Sequence, residues 1–212
     1  MVTMQDHPTV KIYVEGGGND NNSLVRECRR AFQKFFEKAG FKKRLPRVIP
    51  CGSRNSAFDD FCTALKYARA GDIAFLLVDS EDVVQSAFID NPWGHLLVRD
   101  GWKMPSGASC EQVHLMVECM ENWFLADKEA LETFFGQGFH ASSLPGNQDI
   151  EKVSKSDVLN SLKRASRLTQ KGPYGKGAHS FKILEIIDSS KVLNASPSAQ
   201  RFINELNKVL VL

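Results

Sequence analysis

Cysteine pairs at metal-binding or redox spacing are missing from this chain. Its five cysteines, Cys28, Cys51, Cys62, Cys110 and Cys119, form no CxxC and stand near no paired histidines. That spacing argues against a zinc centre and a disulfide framework, and fits a reducing compartment. No apolar run is long enough to cross a bilayer, and the amino terminus has no apolar leader core, so a cytoplasmic protein without a membrane partner is expected. The formal net charge is only +2, which leaves no global polycationic argument for nucleic acid; any basic surface must be local. The GxxxxGK[ST] order of a P-loop is missing too, because "GPYGKGAH" breaks it, so ATP hydrolysis by this chain is not expected.

What is present is a strand–helix alternation. "VKIYV", residues 10–14, is short, β-branched and closed by glycines, as a strand should be. Leu24, Val25, Cys28, Ala31, Phe32, Phe35, Phe36 and Ala39 follow at helical spacing. Asn21, Asn22 or Ser23 offers a cap at the start and Gly40 an end. A second strand is expected over Arg47–Cys51, a second helix over Asn55–Ala70, and a doubly covered strand at "DIAFLLVD". "VHLMVECM" predicts a fourth strand that runs directly into a helix over Glu121–Phe135. Residues 136–155 read as loop, Val158–Leu168 as helical, "QKGPYGKGAHS" as a glycine-rich basic loop, and Phe181–Asp188 and Ser198–Leu210 as closing helices. The expectation is an α/β fold, a mostly parallel sheet flanked by helices over residues 1–135, with a mostly helical elaboration over residues 136–212 packed on the same domain.

In such a sheet the carboxyl ends of the strands form the rim where ligands bind. Glu15 falls just after the first strand, in "VEGGGND", and Asp79, Glu81 and Asp82 fall just after the third. Glycine triplets are common in plain turns, and strand-end aspartates commonly cap helices. The pair of acids at two strand ends of one sheet is what favours a functional reading. Clustered carboxylates need a proton or a cation to coexist, and hard oxygen donors suit Mg²⁺ or Mn²⁺. Glu15 then reads as a metal ligand or a general acid–base, with Gly16 and Gly17 letting phosphate approach the backbone. Lys176, with Lys171 second, is the candidate cation for charge developing on phosphate. Arg54, at the end of the second strand, would touch phosphate or pair with a carboxylate. Glu121 would join the acidic rim or pin a helix start through its dipole. Trp123 and Cys28 read as core. Arg26, Arg29, Arg30, Lys34 and Lys38 make the first helix locally basic, though charge runs are usually solvated faces. His140 and His179 are too isolated for a metal site.

"KIYVEGGG" followed by "AFLLVDSED" resembles the TOPRIM domain of topoisomerases, primases and OLD-family nucleases. There a glutamate after the first strand and a DxD-type motif after the third bind divalent metal. The resemblance carries those roles to Glu15, Asp79 and Glu81, with Asp82 as a substitute ligand. "VECMENWFLAD", "YGKGAHSFKILEIID" and "SPSAQRFINEL" resemble stand-alone bacterial TOPRIM-like proteins, some of whose relatives are encoded beside ATPases in antiphage defence. Two departures stand out: the second acid of the DxD is Glu81, and the acid expected four residues after the first glutamate is replaced by Asn19, with Asp20 next to it. The resemblance implies a TOPRIM-like (Rossmann-like) fold and metal-dependent phosphodiester cleavage of DNA or RNA, with a separate ATPase subunit as a partner it allows. It leaves open a homo-oligomer and a non-catalytic metal- or nucleic-acid-binding subunit of such a complex. A third reading is a small phosphorylated ligand bound at the same rim.

Overall fold

The computed structural model describes residues 9–18 and 21–210. Its centre is a four-stranded parallel sheet of β1 (Val10–Val14), β2 (Arg47–Pro50), β3 (Ile73–Asp79) and β4 (Val113–Met116), in the order β2-β1-β3-β4. In register, Val14 lies beside Leu77 and Asp79 beside Met116, so the strands end together on one rim. Five successive residues of β3, Ala74 to Val78, are buried, because helices cover both faces.

On one face Ile12, Val14, Phe75 and Leu77 meet α1 (Asn22–Phe36), α6 (Lys176–Ile186) and α8 (Pro197–Leu210). Phe32, Phe35 and Phe36 on the α1 stripe are fully buried there, each worth about 1.5–3 kcal/mol of transfer free energy. Trp123 stacks on Phe35 with ring centroids 4.9 Å apart, and Cys28 is buried nearby, both in the core positions expected of them. On the other face Leu76, Val78 and Leu115 meet α2 (Arg54–Lys66) and α3 (Pro92–Asp100). The chain thus has an α/β, Rossmann-like architecture. The carboxyl-terminal helices contribute Ile183, Phe202 and Leu206 to the same core as α1 and β1. No helix among the described residues is long and apolar enough to cross a membrane.

Local signals account for most boundaries. Asn21 caps α1, its Oδ1 accepting from the N–H groups of Ser23 and Leu24. Gly40, with φ 108°, closes the π turn that follows. Pro92 opens α3 and Pro197 opens α8, positions where no N–H is needed.

Three expectations need correction. β4 stops at Met116, and the segment to Asp127 is a 3₁₀ run over Met120–Ala126 rather than helix. The Asn122 side chain holds that run by donating to the carbonyls of Ile150 and Val153, and Asp127 then caps a new helix, α4 (Lys128–Phe135). The basic loop is shorter than read, because α6 starts at Lys176. Between α6 and α8 lies α7 (Ser189–Ala195), seven residues capped by Asp188, which the hydrophobic pattern did not reveal. The remaining helix, α5, spans Lys155–Ser166.

Candidate metal centre

Glu15 leaves β1 and Asp79 ends β3, on neighbouring strands at the carboxyl rim. The backbone N–H of Asp79 donates to Glu15 Oε2 at 3.3 Å, which locks the two ends together. Two residues on, Glu81 adopts φ 67°, a left-handed conformation rare for a side chain of its size. Its N–H donates to the Glu118 carbonyl at 2.8 Å. One carboxylate oxygen from each of Glu15, Asp79 and Glu81 lies within 4.8 Å of the others. Asp82 is not among them: it is largely solvent-exposed and pairs with Arg99 at 3.1 Å.

Asp79 is the hub. Met120 N–H donates to its Oδ1 at 2.9 Å. Its Oδ2 faces two ammonium groups, Lys155 Nζ at 3.6 Å and Lys176 Nζ at 3.9 Å. Burial, then the charges of Glu15 and Glu121, push its carboxyl up to about 7, with Lys176 and Lys155 opposing. Burial also raises Glu15, with Glu81 adding to the effect and Arg54, 3.7 Å away, resisting it. Glu81 behaves in the opposite way. Burial would raise it, but Lys155 at 2.5 Å and then Arg99 at 3.9 Å hold it below the usual range.

The cations are positioned as carefully as the acids. Lys155 stands at the start of α5, where its backbone N–H donates to the buried carboxylate of Glu118 at 2.7 Å. Lys176 opens α6 and lies 3.3 Å from Glu121 Oε2. Glu121 is 1% exposed, its Oε1 accepts from the Tyr174 hydroxyl at 2.8 Å, and its Oε2 receives no hydrogen bond. Burial would lower Lys176, but the Glu121 and Asp79 carboxylates hold it up at about 12, so it stays charged near neutrality. Arg54 spends its guanidinium inside the protein: two bonds to Asp100 at 3.0 and 2.7 Å, one to the Asp79 carbonyl, and a face over Trp102 at 4.9 Å. Of the two roles expected for Arg54, pairing with a carboxylate is the one observed.

A cleft of about 240 Å³ opens over this rim, walled by Glu15, Asp79, Glu121 and Lys176 together with Gly16 to Gly18 and Phe181. The glycines serve the backbone here. Gly16 exchanges both backbone hydrogen bonds with Gly52, at 2.9 and 2.8 Å, so its amide is not available to cradle a phosphate. Gly17 has φ 91°, and a Cβ there would sit 3.0 Å from Pro50 Cβ. Lys171 is not part of the cleft wall; its ammonium stands 5.2 Å over the Phe134 ring. His179 accepts from Gly175 N–H and packs against Phe134 and Phe135. Asn19 and Asp20 lie outside the described residues.

Sequence reasoning missed Lys155, Glu118, Arg99, Asp100 and Tyr174. Lys155, Arg99 and Asp100 carry no motif signal; Glu118 and Tyr174 lie inside the quoted pieces "VECMENWFLAD" and "YGKGAHSFKILEIID" but had no role assigned.

All three converging donors are carboxylate oxygens, the donor set of a hard divalent ion, and Asp79 is raised by burial and by the neighbouring Glu15 and Glu121 carboxylates. The residues therefore fit Mg²⁺ or Mn²⁺. Comparison with curated proteins and with solved structures finds no match. A family model described as a domain of unknown function (DUF4276) matches residues 14–207, nearly the whole chain including every one of these site residues, and the chain belongs to that family.

Proposed function

We propose that the protein is a divalent-metal-dependent, TOPRIM-type nuclease that cleaves phosphodiester bonds in DNA or RNA. One observation carries the reading: Glu15, Asp79 and Glu81 converge on the carboxyl rim within 4.8 Å, beside a charged lysine in an open cleft. Glu15, Asp79 and Glu81 would hold Mg²⁺ or Mn²⁺, which when bound supplies Lewis-acid polarisation of a phosphoryl oxygen and a more acidic water. Lys176, held at the cleft wall by Glu121, offers fixed positive charge to a phosphate. It does not move protons at neutral pH. Glu15, raised by burial, is the carboxylate suited to accept one. Arg54 and Asp100 brace Glu15 and the end of β3 from outside the cleft.

The test is a cleavage assay on supercoiled plasmid, linear duplex, single strands and structured RNA, with Mg²⁺ or Mn²⁺ and an EDTA control. Cutting that needs metal and disappears in Glu15→Gln and Asp79→Asn supports the reading. Cutting that survives both substitutions overturns it.

A specific observation favours a second reading, a binding subunit that acts with a separate ATPase chain. The Lys155 ammonium lies between Glu81 and Asp79, so the protein supplies its own cation to the acids. Metal binding by calorimetry without cleavage, with or without a partner ATPase, would support this reading over the first.

A further inference from the structure

No aspartate or glutamate occurs between Asp157 and Glu185. That stretch carries Lys163, Arg164, Arg167, Lys171, Lys176 and Lys182, a concentration of charge in a chain whose net charge is only +2. Lys176 is spent on the cleft. The other five are exposed, and none forms an ion pair with a carboxylate among the described residues.

The basic helix α1 is different. Arg29 donates to the Val48 carbonyl, Arg30 pairs with Glu185 at 2.9 Å, Lys34 with Glu37 at 2.7 Å, and Lys38 donates to the carbonyls of Glu185 and Ile187. Carboxylates neutralise Arg30 and Lys34, and backbone carbonyls hold Arg29 and Lys38 against the fold. The fold leaves the charge of the α5–α6 region facing solvent, where like charges repel and a polyanion would relieve them.

These cations come from adjoining segments, α5, the link after it and α6, and each is exposed. Lys163, on α5, and Arg167, the helical residue that caps its end, are four apart and so lie on the same side. Lys171, on the link, stands 5.2 Å over the Phe134 ring, which packs on His179 with centroids 5.8 Å apart, and Lys182 follows His179 by three residues on the same side of α6. Arg164 turns instead toward a groove shared with Lys152 and Asp157. Tyr174 ties this surface to the cleft: its N–H donates to Ser166 Oγ at the end of α5, at 2.7 Å, and its hydroxyl to Glu121. Lys182 lies about 9 Å along α6 from Lys176, at 1.5 Å per residue. A membrane surface is a poor fit, because the apolar residues of α5 (Val158, Leu162 and Ala165) are buried in the core.

We propose that Lys163, Arg167, Lys171 and Lys182 form a track for the phosphate backbone of a nucleic acid leading to the Lys176 cleft. The choice of partner rests on the reading of the cleft as a phosphodiester site; the position of the surface does not.

The test is anisotropy of fluorescein-labelled duplex and single-stranded oligonucleotides with the full chain in EDTA, where metal-dependent cleavage is silent. Salt is varied from about 50 to about 200 mM. The triple variant Lys163→Gln, Arg167→Gln, Lys171→Gln should bind more weakly, with a salt slope shallower by about 2 to 3 units on duplex, near 0.9 per lost phosphate contact. The α1 pair Arg30→Gln, Lys34→Gln should keep the wild-type slope. Equal affinity and slope in the triple variant overturn the track. So does a wild-type protein that ignores both oligonucleotides but binds polyglutamate, which would give the face to an acidic protein. A shallower slope without cleavage under any metal condition retains the track and sinks the nuclease reading, so the two fail separately.

Discussion

The ammonium of Lys155 lies 2.5 Å from Glu81 Oε2 and 3.6 Å from Asp79 Oδ2, between two of the three carboxylates that converge on the rim. A cation built into the chain thus sits where a divalent ion would compete for the same oxygens. This relationship makes the charge balance of the site testable before any substrate is known.

Lys155→Met removes the competitor. Divalent ions should bind about tenfold tighter, a gain of ~1.4 kcal/mol, while the metal-free protein loses stability because the carboxylates repel one another. Isothermal titration with Mn²⁺ and urea unfolding of the metal-free protein read the two effects. Unchanged or weaker metal binding would mean that the lysine is a partner of the metal site rather than its rival.

The pH dependence follows from Asp79, whose carboxyl is pushed up to about 7 in the fold. A group raised on folding favours the folded state while protonated in both states, below an unfolded value of about 3.9. That contribution declines as pH rises from about 3.9 and is gone above about 7. Metal needs the ionised form, so its affinity should climb by up to about tenfold per pH unit below 7 and level off above it. Asp79→Asn should abolish both trends. A flat metal affinity between about pH 5.5 and about 7.5, a window wholly above the ordinary carboxylate values of about 3.9 to 4.3, would contradict the raised carboxyl.

Tyr174→Phe deletes the hydrogen bond from the tyrosine hydroxyl to the buried Glu121 carboxylate and the tie between the basic surface and the cleft. A buried bond to a charged acceptor is worth about 1.5–3 kcal/mol, so unfolding free energy should drop by about 2 kcal/mol. Glu121→Gln keeps an acceptor for the tyrosine and should cost less. Urea denaturation of both proteins checks the order, and a larger loss in the glutamine variant would show that the Lys176 pair outweighs the tyrosine bond.

Gly17→Ala should destabilise the rim by about 1–3 kcal/mol, because φ 91° is unfavourable for alanine and the added Cβ would press on Pro50 and Val25. Thermal melts should place its Tm well below that of Gly177→Ala, where a Cβ meets no neighbour within 4 Å. Equal melting temperatures would show that the loop relaxes freely and that its glycines are not needed by the backbone.

Much of the scaffold was legible in the chain. β1, α1 and β3 follow from apolar periodicity and punctuation by Asn21, Gly40 and Gly71, which are local effects set by neighbours in sequence. Placing Glu15 and Asp79 at strand ends needed one further step, the rule that parallel strands share a carboxyl rim, and their side chains do meet there. The break at Asp127 and the short helix α7 were not legible, because contacts from remote carbonyls and a cap outweigh the local pattern.

The sequence by itself determined the layered α/β frame and the two acids at its rim, since periodicity and strand ends are one-dimensional properties. Only the tertiary structure decided which charges remain free. Arg30 is matched by a glutamate 155 positions away, Arg54 by Asp100 46 positions away, and Lys155 is aimed at the acids by Glu118, whereas Lys163 and Arg167 meet no carboxylate among the described residues. Charge pairing depends on distance in space, with strength falling with separation and screening, and spacing along the chain does not encode it.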